Sequence, residues 1–169
     1  EMFREMLEQS NGSPFDDIIV AVGSGGTAAG IALAVHLAKV PAKVHAVAVC
    51  NNAKYFYDEI QGYLDELDLT LIATDLLDII DGHQGIGYAK STQAELQAII
   101  AVAQETGIVL DPTYAGKAFC GLAKELHANP QRFQGSRILF IHTGGVFSLW
   151  DKQMQLAPLL AGVDNVRPL

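Results

Sequence analysis

The chain has 169 residues, half of them hydrophobic, which is enough for one sizeable core and too apolar for a disordered segment. Eleven basic against nineteen acidic residues give a net charge of -8 with no Lys/Arg run, so a nucleic acid partner is not expected. Lys39, Lys43 and His45 break the longest candidate for a membrane span, which needs roughly 18 consecutive apolar residues, so no membrane partner is expected either.

The chain opens on a helical period with Met2, Phe3, Met6 and Leu7 on one face. It has neither an initiator methionine nor a signal-peptide pattern, and Glu1 is not expected to be the natural start. SNGSP (10–14) supplies turn chemistry, and Ile18 to Val22 form the nearly continuous apolar run of a strand buried on both faces. A helix is predicted from about Thr27 to Ala38, stopping before Pro41, with a second strand, KVHAVAV, over 43–49. The two strands and the helix make a βαβ unit with parallel strands and a right-handed crossover. YFYDEIQGYLDEL then reads as a helix and LTLIAT as a third strand. Thr92 and Glu95 form a capping box ahead of a stripe of Leu96, Ile99, Ile100 and Ala103, and Gly107 marks the exit. The short run GIVLDP leads to a helix with Phe119, Leu122, Ala123 and Leu126 on one face, and RILFIHTGG is a buried strand followed by a terminal helix.

Strands alternating with helices define an α/β fold, an open and mainly parallel twisted sheet with helices on both faces. No repeat or linker divides the chain, so residues 1–169 are expected to be a single domain. Cys50 and Cys120 have no CxxC or Cys/His metal spacing and are expected to be buried, reduced thiols of an intracellular protein, with no metal.

The strand over 18–22 runs straight into a glycine cluster. Gly23, Gly25 and Gly26 remove β-carbons, so the N–H groups from Ser24 to Thr27 can converge at a helix start whose dipole favours an anion. The bland alternative is a tight turn with glycines for packing only, and the hydroxyls of Ser24 and Thr27 weigh against it. GSGGTA also fits GxGxxA, a variant of the dinucleotide fingerprint, but Cys50, Asn51 and Asn52 stand where the ribose-binding acid belongs. Ala28 and Ala29 follow Thr27, so the lysine of a nucleotide P-loop is missing too. A single small phosphate, as on pyridoxal phosphate, fits better.

Ligands of open parallel sheets lie beyond the carboxyl ends of strands, and three further stretches were sought there. DGHQGIGYAK (81–90) carries His83 and Tyr88, DPTYAGKAF (111–119) brackets Tyr114 between Pro112 and Gly116, and IHTGG (141–145) offers Thr143. Each also has a dull reading: a packing tyrosine, a helix-capping threonine, and a His142 that satisfies a backbone carbonyl.

Together GSGGTAAG, DGHQGIGYA, LDPTYAGKA and LFIHTGG, in this order over nearly the whole chain, resemble the pyridoxal-phosphate enzymes of the tryptophan-synthase-β fold, fold type II. More narrowly the chain resembles the D-cysteine desulfhydrase and 1-aminocyclopropane-1-carboxylate deaminase family. VCNNAKYFYDEIQGYLD and IVLDPTYAGKA look most like the plant-type desulfhydrases. The resemblance implies pyridoxal 5′-phosphate as cofactor, its phosphate bound by Gly23, Ser24, Gly25, Gly26 and Thr27. It implies that Thr143 faces the pyridine nitrogen and that Tyr88 and Tyr114 flank a small amino-acid substrate as active-site residues.

The deaminases of this family carry Glu directly after the tyrosine matching Tyr114 and Leu at the position of Thr143; here the residues are Ala115 and Thr143. A neutral hydroxyl supplies no counter-charge to a protonated ring, which suits α-proton removal and loss of sulfide from D-cysteine better than opening a cyclopropane. Ala115 is itself a departure, since the desulfhydrases usually show Ser or Thr there. The family's Schiff-base lysine and its carboxylate-gripping Ser/Asn/His loop lie upstream of the phosphate loop, and no lysine here stands in that position. Lys117 belongs instead to the YxGK helix. The expectation is therefore most of the larger cofactor domain of an enzyme, inactive alone, with the smaller domain upstream. Family members are commonly dimers, so a homodimer is expected, in the cytoplasm or an organelle such as the mitochondrion. The competing expectation, from the missing lysine, is a non-catalytic phosphate or nucleotide binding module.

Overall fold

In the strand Asp17–Val22 (β1), Ile18, Val20 and Val22 face one side and Ile19 the other, and all four are at most 1% exposed. The computed structural model describes residues 1–10 and 15–161. An opening helix α1 (Met2–Gln9) precedes β1, and α2 (Gly26–Leu37), β2 (Lys43–Ala48) and α3 (Ala53–Glu66) follow it. Next come a short α4 (Ala73–Leu76), β3 (Asp78–Ile80), α5 (Gln93–Thr106) and α6 (Ala115–Ala128). The chain continues through β4 (Ile138–Phe140) and a 3-10 segment, Val146–Lys152, into α7 (Gln153–Leu160). Residues 11–14, most of the expected turn, lie outside the described residues.

All the strand pairs are parallel, in the order β3-β2-β1-β4, with Ile18 opposite Val44 on one side and Leu139 on the other. Alternation assigns the two faces. Ile18, Val20, Val22, Ala46 and Ala48 meet Phe3 of α1, Ile31 and Val35 of α2, and Phe56, Ile60 and Leu64 of α3. Phe56 is completely buried there and contributes about 2–3 kcal/mol by leaving water. Ile19, Val47 and Ile80 face the opposite way onto Ala118 and Leu122 of α6. The third cluster, Leu96, Ile99, Leu110 and Ala115, joins α5 to α6. The sheet thus carries helices on both faces. From β1 the chain steps outward through β2 and β3, then returns to place β4 on the other side of β1, so the connections reverse between β1 and β4. A crevice at that reversal, beyond the carboxyl ends of the strands, is where such sheets hold ligands.

Three details differ from the sequence expectation. LTLIAT is not a strand: Leu69 and Leu71 pack on the first core cluster, while the Gln61 side chain of α3 binds Leu71 O and Ala73 N at 3.1 and 2.9 Å. The strand falls instead on Asp78–Ile80, where consecutive apolar residues can be covered on both faces. The buried side of α6 is Ala115, Ala118, Gly121, Leu122 and Glu125, whereas Ala123 and Leu126 are exposed. A β-carbon on Gly121 would come within 2.8 Å of Val47, so this helix approaches the sheet through small residues that an apolar count overlooks. Met2 is 47% exposed, leaving Phe3, Met6 and Leu7 to seat α1.

A polar chain runs between the sheet and α6. His45 is fully buried with Nε2 2.8 Å from Asp17 Oδ1 and Nδ1 2.9 Å from Asp78 Oδ2. Arg132 lies 3.5 Å from Asp78 and 3.3 Å from Glu125, and Glu125 is 3.1 Å from His83 Nε2. The His45 hydrogen bond holds Asp78 below its ordinary value, helped by the charges of Arg132 and Lys43 against burial. Burial pushes Glu125 up, but the bonds from His83 and Asn129 and the Arg132 charge outweigh it. A carboxyl with a depressed folded pKa stabilises the fold fully above its unfolded value and loses that contribution as pH falls through the folded one. Stability of the full-length protein is therefore expected to fall with acid from about pH 4 downward, and Asp78→Asn to flatten that limb. Urea midpoints against pH measure it, and equal slopes for the two proteins would contradict the linkage.

Candidate active site

A cavity of about 710 Å³ opens at the crevice between the strand ends. The turn after β1 lines it with Gly23, Ser24, Gly25 and Thr27, the end of β2 with Cys50 and Asn51, and the exit of β4 with Thr143. Tyr88 and Tyr114 enter from the loops before α5 and α6. The sequence-derived residues thus meet at one place, except that Gly26, the first residue of α2, does not line the cavity.

The turn is shaped as a cradle. Gly25 precedes α2 at φ 96, a conformation that a side chain strains, and a β-carbon there would press on Ile60 and Tyr63 at 3.3 and 3.4 Å. Tyr63 donates to Ser24 O at 3.0 Å and fixes the turn from α3. No side chain caps α2, so its first-turn N–H groups are left for another acceptor. Uncapped donors, the positive end of a twelve-residue helix, two hydroxyl-bearing residues and no β-carbon at Gly23 or Gly25 fit a phosphate monoester.

The tyrosines form a pair. Their hydroxyl oxygens are 2.5 Å apart and their rings meet edge to face at 6.0 Å. The hydrogen bond to Tyr88, with burial second, pushes the Tyr114 phenol up to about 12. At neutral pH Tyr114 is therefore protonated, and either hydroxyl of the pair can donate to the other. Tyr114 packs directly over Gly23, where a β-carbon would lie 2.7 Å from its Cε1. Behind it Asp111, fully buried, accepts from Thr113 N and Tyr114 N on one oxygen, at 2.8 and 2.7 Å, and from Ala115 N on the other at 2.7 Å.

The 81–90 loop is tied down at several points. Asp81 accepts from Ala53 N at 2.8 Å, and the Gln84 amide donates to Asp81 and to Asn51 O, the latter at 2.7 Å. His83 turns away from the cavity toward Glu125. His142 donates from Nε2 to Val109 O at 2.8 Å and accepts Gly144 N at Nδ1, 3.0 Å away, so it satisfies a backbone carbonyl as the dull reading had it. Ala115 is buried in the third core cluster and does not line the cavity.

Sequence reasoning missed Asp111, although Asp followed by Pro-Thr is an Asx-turn signal. It also placed Cys50 in the core. The thiol is instead half-buried, two residues beyond the strand, and donates to Gly23 O at 3.5 Å on the cavity wall; Cys120 is half-buried too. Both are free thiols, and no cluster of metal ligands occurs among the described residues. No described helix is long and apolar enough to cross a membrane.

A glycine cradle at the switch point of a parallel α/β sheet, walled by paired tyrosines, has the ligand-site geometry of the doubly wound class, and its shape fits a phosphate group. The family model described as "Pyridoxal-phosphate dependent enzyme" matches residues 1–144, and the chain belongs to that family. The mitochondrial bifunctional D-cysteine desulfhydrase/1-aminocyclopropane-1-carboxylate deaminase of Arabidopsis thaliana is 48% identical over 164 residues, 95% of this chain and 41% of that protein. The D-cysteine desulfhydrase of Serratia proteamaculans is 33% identical over 150 residues, 86% of this chain and 45% of that protein. A crystal structure of an ACC deaminase homologue superposes with a TM-score of 0.76 at 30% identity, covering 92% of this chain and 47% of that one. The chain thus spans less than half the length of these relatives.

Proposed function

We propose that the whole protein is a pyridoxal-phosphate lyase that converts D-cysteine and water to pyruvate, hydrogen sulfide and ammonia. The observation that carries this reading is the neutral cavity wall: Thr143 lines the cavity at the exit of β4, and no carboxylate is among the described residues that line it. In this reading the backbone from Gly23 to Thr27 holds the cofactor phosphate, with Gly26 contributing through its amide. Thr143 faces the pyridine nitrogen, and Tyr88 and Tyr114 flank the amino acid. Bound pyridoxal phosphate supplies the electron sink for removal of the α-proton. Tyr114, protonated at neutral pH, is held beside Tyr88 by the hydrogen bond that the two hydroxyls share. Among the described residues no lysine lines the cavity, so in this reading the lysine that carries the cofactor belongs to the part of the protein upstream, together with the smaller domain. A homodimer in the mitochondrion or cytoplasm completes the proposal; the Arabidopsis relative is named as mitochondrial.

The alternative is 1-aminocyclopropane-1-carboxylate deaminase activity, which the same relative also carries in its name. The full-length protein, loaded with pyridoxal phosphate, is expected to release sulfide from D-cysteine. Formation of 2-oxobutyrate from the cyclopropane substrate without any sulfide from D-cysteine would favour the deaminase. Turnover of neither would favour a phosphate-binding module.

A further inference from the structure

Tyr88 is gripped on both sides by lysines. The carbonyl before it, of Gly87, accepts from Lys117 Nζ at 2.6 Å, and the carbonyl after it, of Ala89, accepts from Lys152 Nζ at 2.6 Å. Lys117 donates also to Gln84 O at 2.6 Å, so one ammonium closes the loop over three residues. The two lysines come from different places. Lys117 sits in the first turn of α6, three residues after Tyr114, and Lys152 ends the 3-10 segment beyond Thr143.

The arrangement is costly to build. Lys117 is 1% exposed and makes no ion pair among the described residues. Burial lowers its pKa against the attraction of the Glu95 carboxylate, and the like charge of Lys152 adds to the lowering. A buried ammonium whose direct partners are neutral carbonyls stabilises a fold poorly compared with an apolar side chain. Ala89 also sits at φ 55, in the left-handed region that a non-glycine residue disfavours. Backbone strain and two neighbouring cations converge on a loop whose one contribution to the active-site wall is Tyr88. Neither lysine lines the cavity.

We propose that Lys117 and Lys152 are positioning residues, a two-lysine clamp on the flanking carbonyls that holds the Tyr88 hydroxyl against that of Tyr114 and presents it to the ligand. The identity of that ligand as an amino acid rests on the function proposed above; the clamp itself does not. The test uses the full-length protein. Lys152→Met, at a half-exposed position, is expected to speed amide exchange over residues 86–90 about tenfold while leaving β1 and β2 unchanged. Lys117→Gln is expected to do so more strongly. D-Cysteine kcat/KM is expected to fall roughly tenfold in Lys152→Met, with no further loss when that change is added to Tyr88→Phe. Unchanged exchange over 86–90 in Lys152→Met overturns the clamp, as does a fully additive loss in the Tyr88→Phe background. If D-cysteine is not a substrate, the kinetic arm fails while the exchange arm still decides whether the lysines hold the loop.

Discussion

Replacing Asp111 with alanine is expected to cost about 4 kcal/mol of folding stability, because three backbone donors lose their acceptor at once and each buried unsatisfied group costs about 1–3 kcal/mol. The carboxylate is wholly buried, so water has no route to replace it without opening the junction of the 107–114 segment and α6. Asp111→Asn keeps the shape and one acceptor oxygen but turns an NH₂ toward an N–H, and about 2–3 kcal/mol is expected. Urea unfolding of the full-length protein measures both, with unchanged m-values marking a true stability change. A loss below about 1 kcal/mol for the alanine variant would mean that the carboxylate does not carry this turn. The same carboxylate backs the β4 exit: a β-carbon on Gly145 would lie 3.2 Å from its Cγ. Destabilisation is therefore expected to loosen Thr143 as well as Tyr114.

The second large effect is catalytic. On the function proposed above, Gly23→Ala in the full-length protein is expected to lower kcat/KM on D-cysteine about a hundredfold, since a displacement of about 1 Å at a reacting site can cost that much. The new methyl would lie 2.7 Å from Tyr114 Cε1 and 3.4 Å from Cδ1, so the ring must move, and with it the 2.5 Å contact to Tyr88. The strand behind Gly23 is unaffected, and the melting temperature is expected to drop by only about 2–4 °C. Steady-state kinetics and a melting curve on the same preparation separate the two. Adding Gly23→Ala to Tyr114→Phe tests the route: the ring still clashes, but the hydroxyl contact is already gone. A Gly23→Ala enzyme with full activity would show that the tyrosine is not needed where it stands.

How much of this was legible depended on whether a residue's neighbours in sequence were also its neighbours in space. Ile18 to Val22 and the 43–49 run announced strands covered on both faces, and Thr92 with Glu95 formed the expected capping box, both bonds present. Gly107 closes that helix as predicted. Ser24, Thr27, Tyr88 and Thr143 were legible because each sits at a strand or loop exit beside a glycine, and Tyr114 because Pro112 and Gly116 bracket it, whereas Cys50 and Asn51 carry no such mark. LTLIAT misled because an alternating surface segment and a half-buried strand have the same period. The face of α6 misled because Lys117 and Glu125 are buried through partners in distant segments, the carbonyls of Gln84 and Gly87 and the side chains of His83 and Arg132. Cys50 was expected to be buried from cysteine spacing alone, which says nothing of its place at a strand exit on the cavity wall.

The reversal of strand order between β1 and β4 also has a bearing on assembly. The bond from Arg137 N to the Asp16 carboxylate closes a separation of 121 positions, far more than the parallel neighbours β1 and β2 require. Joining ends so far apart carries the larger loop-closure entropy, so β4 is the costliest strand to add. A chain that had paired only its first three strands would own the glycine turn and helix α2 but not Thr143. Its glycine cradle would be half a socket, able to meet an anion but without the cavity wall at the exit of β4, and, on the function proposed above, full cofactor retention would mark the closed sheet.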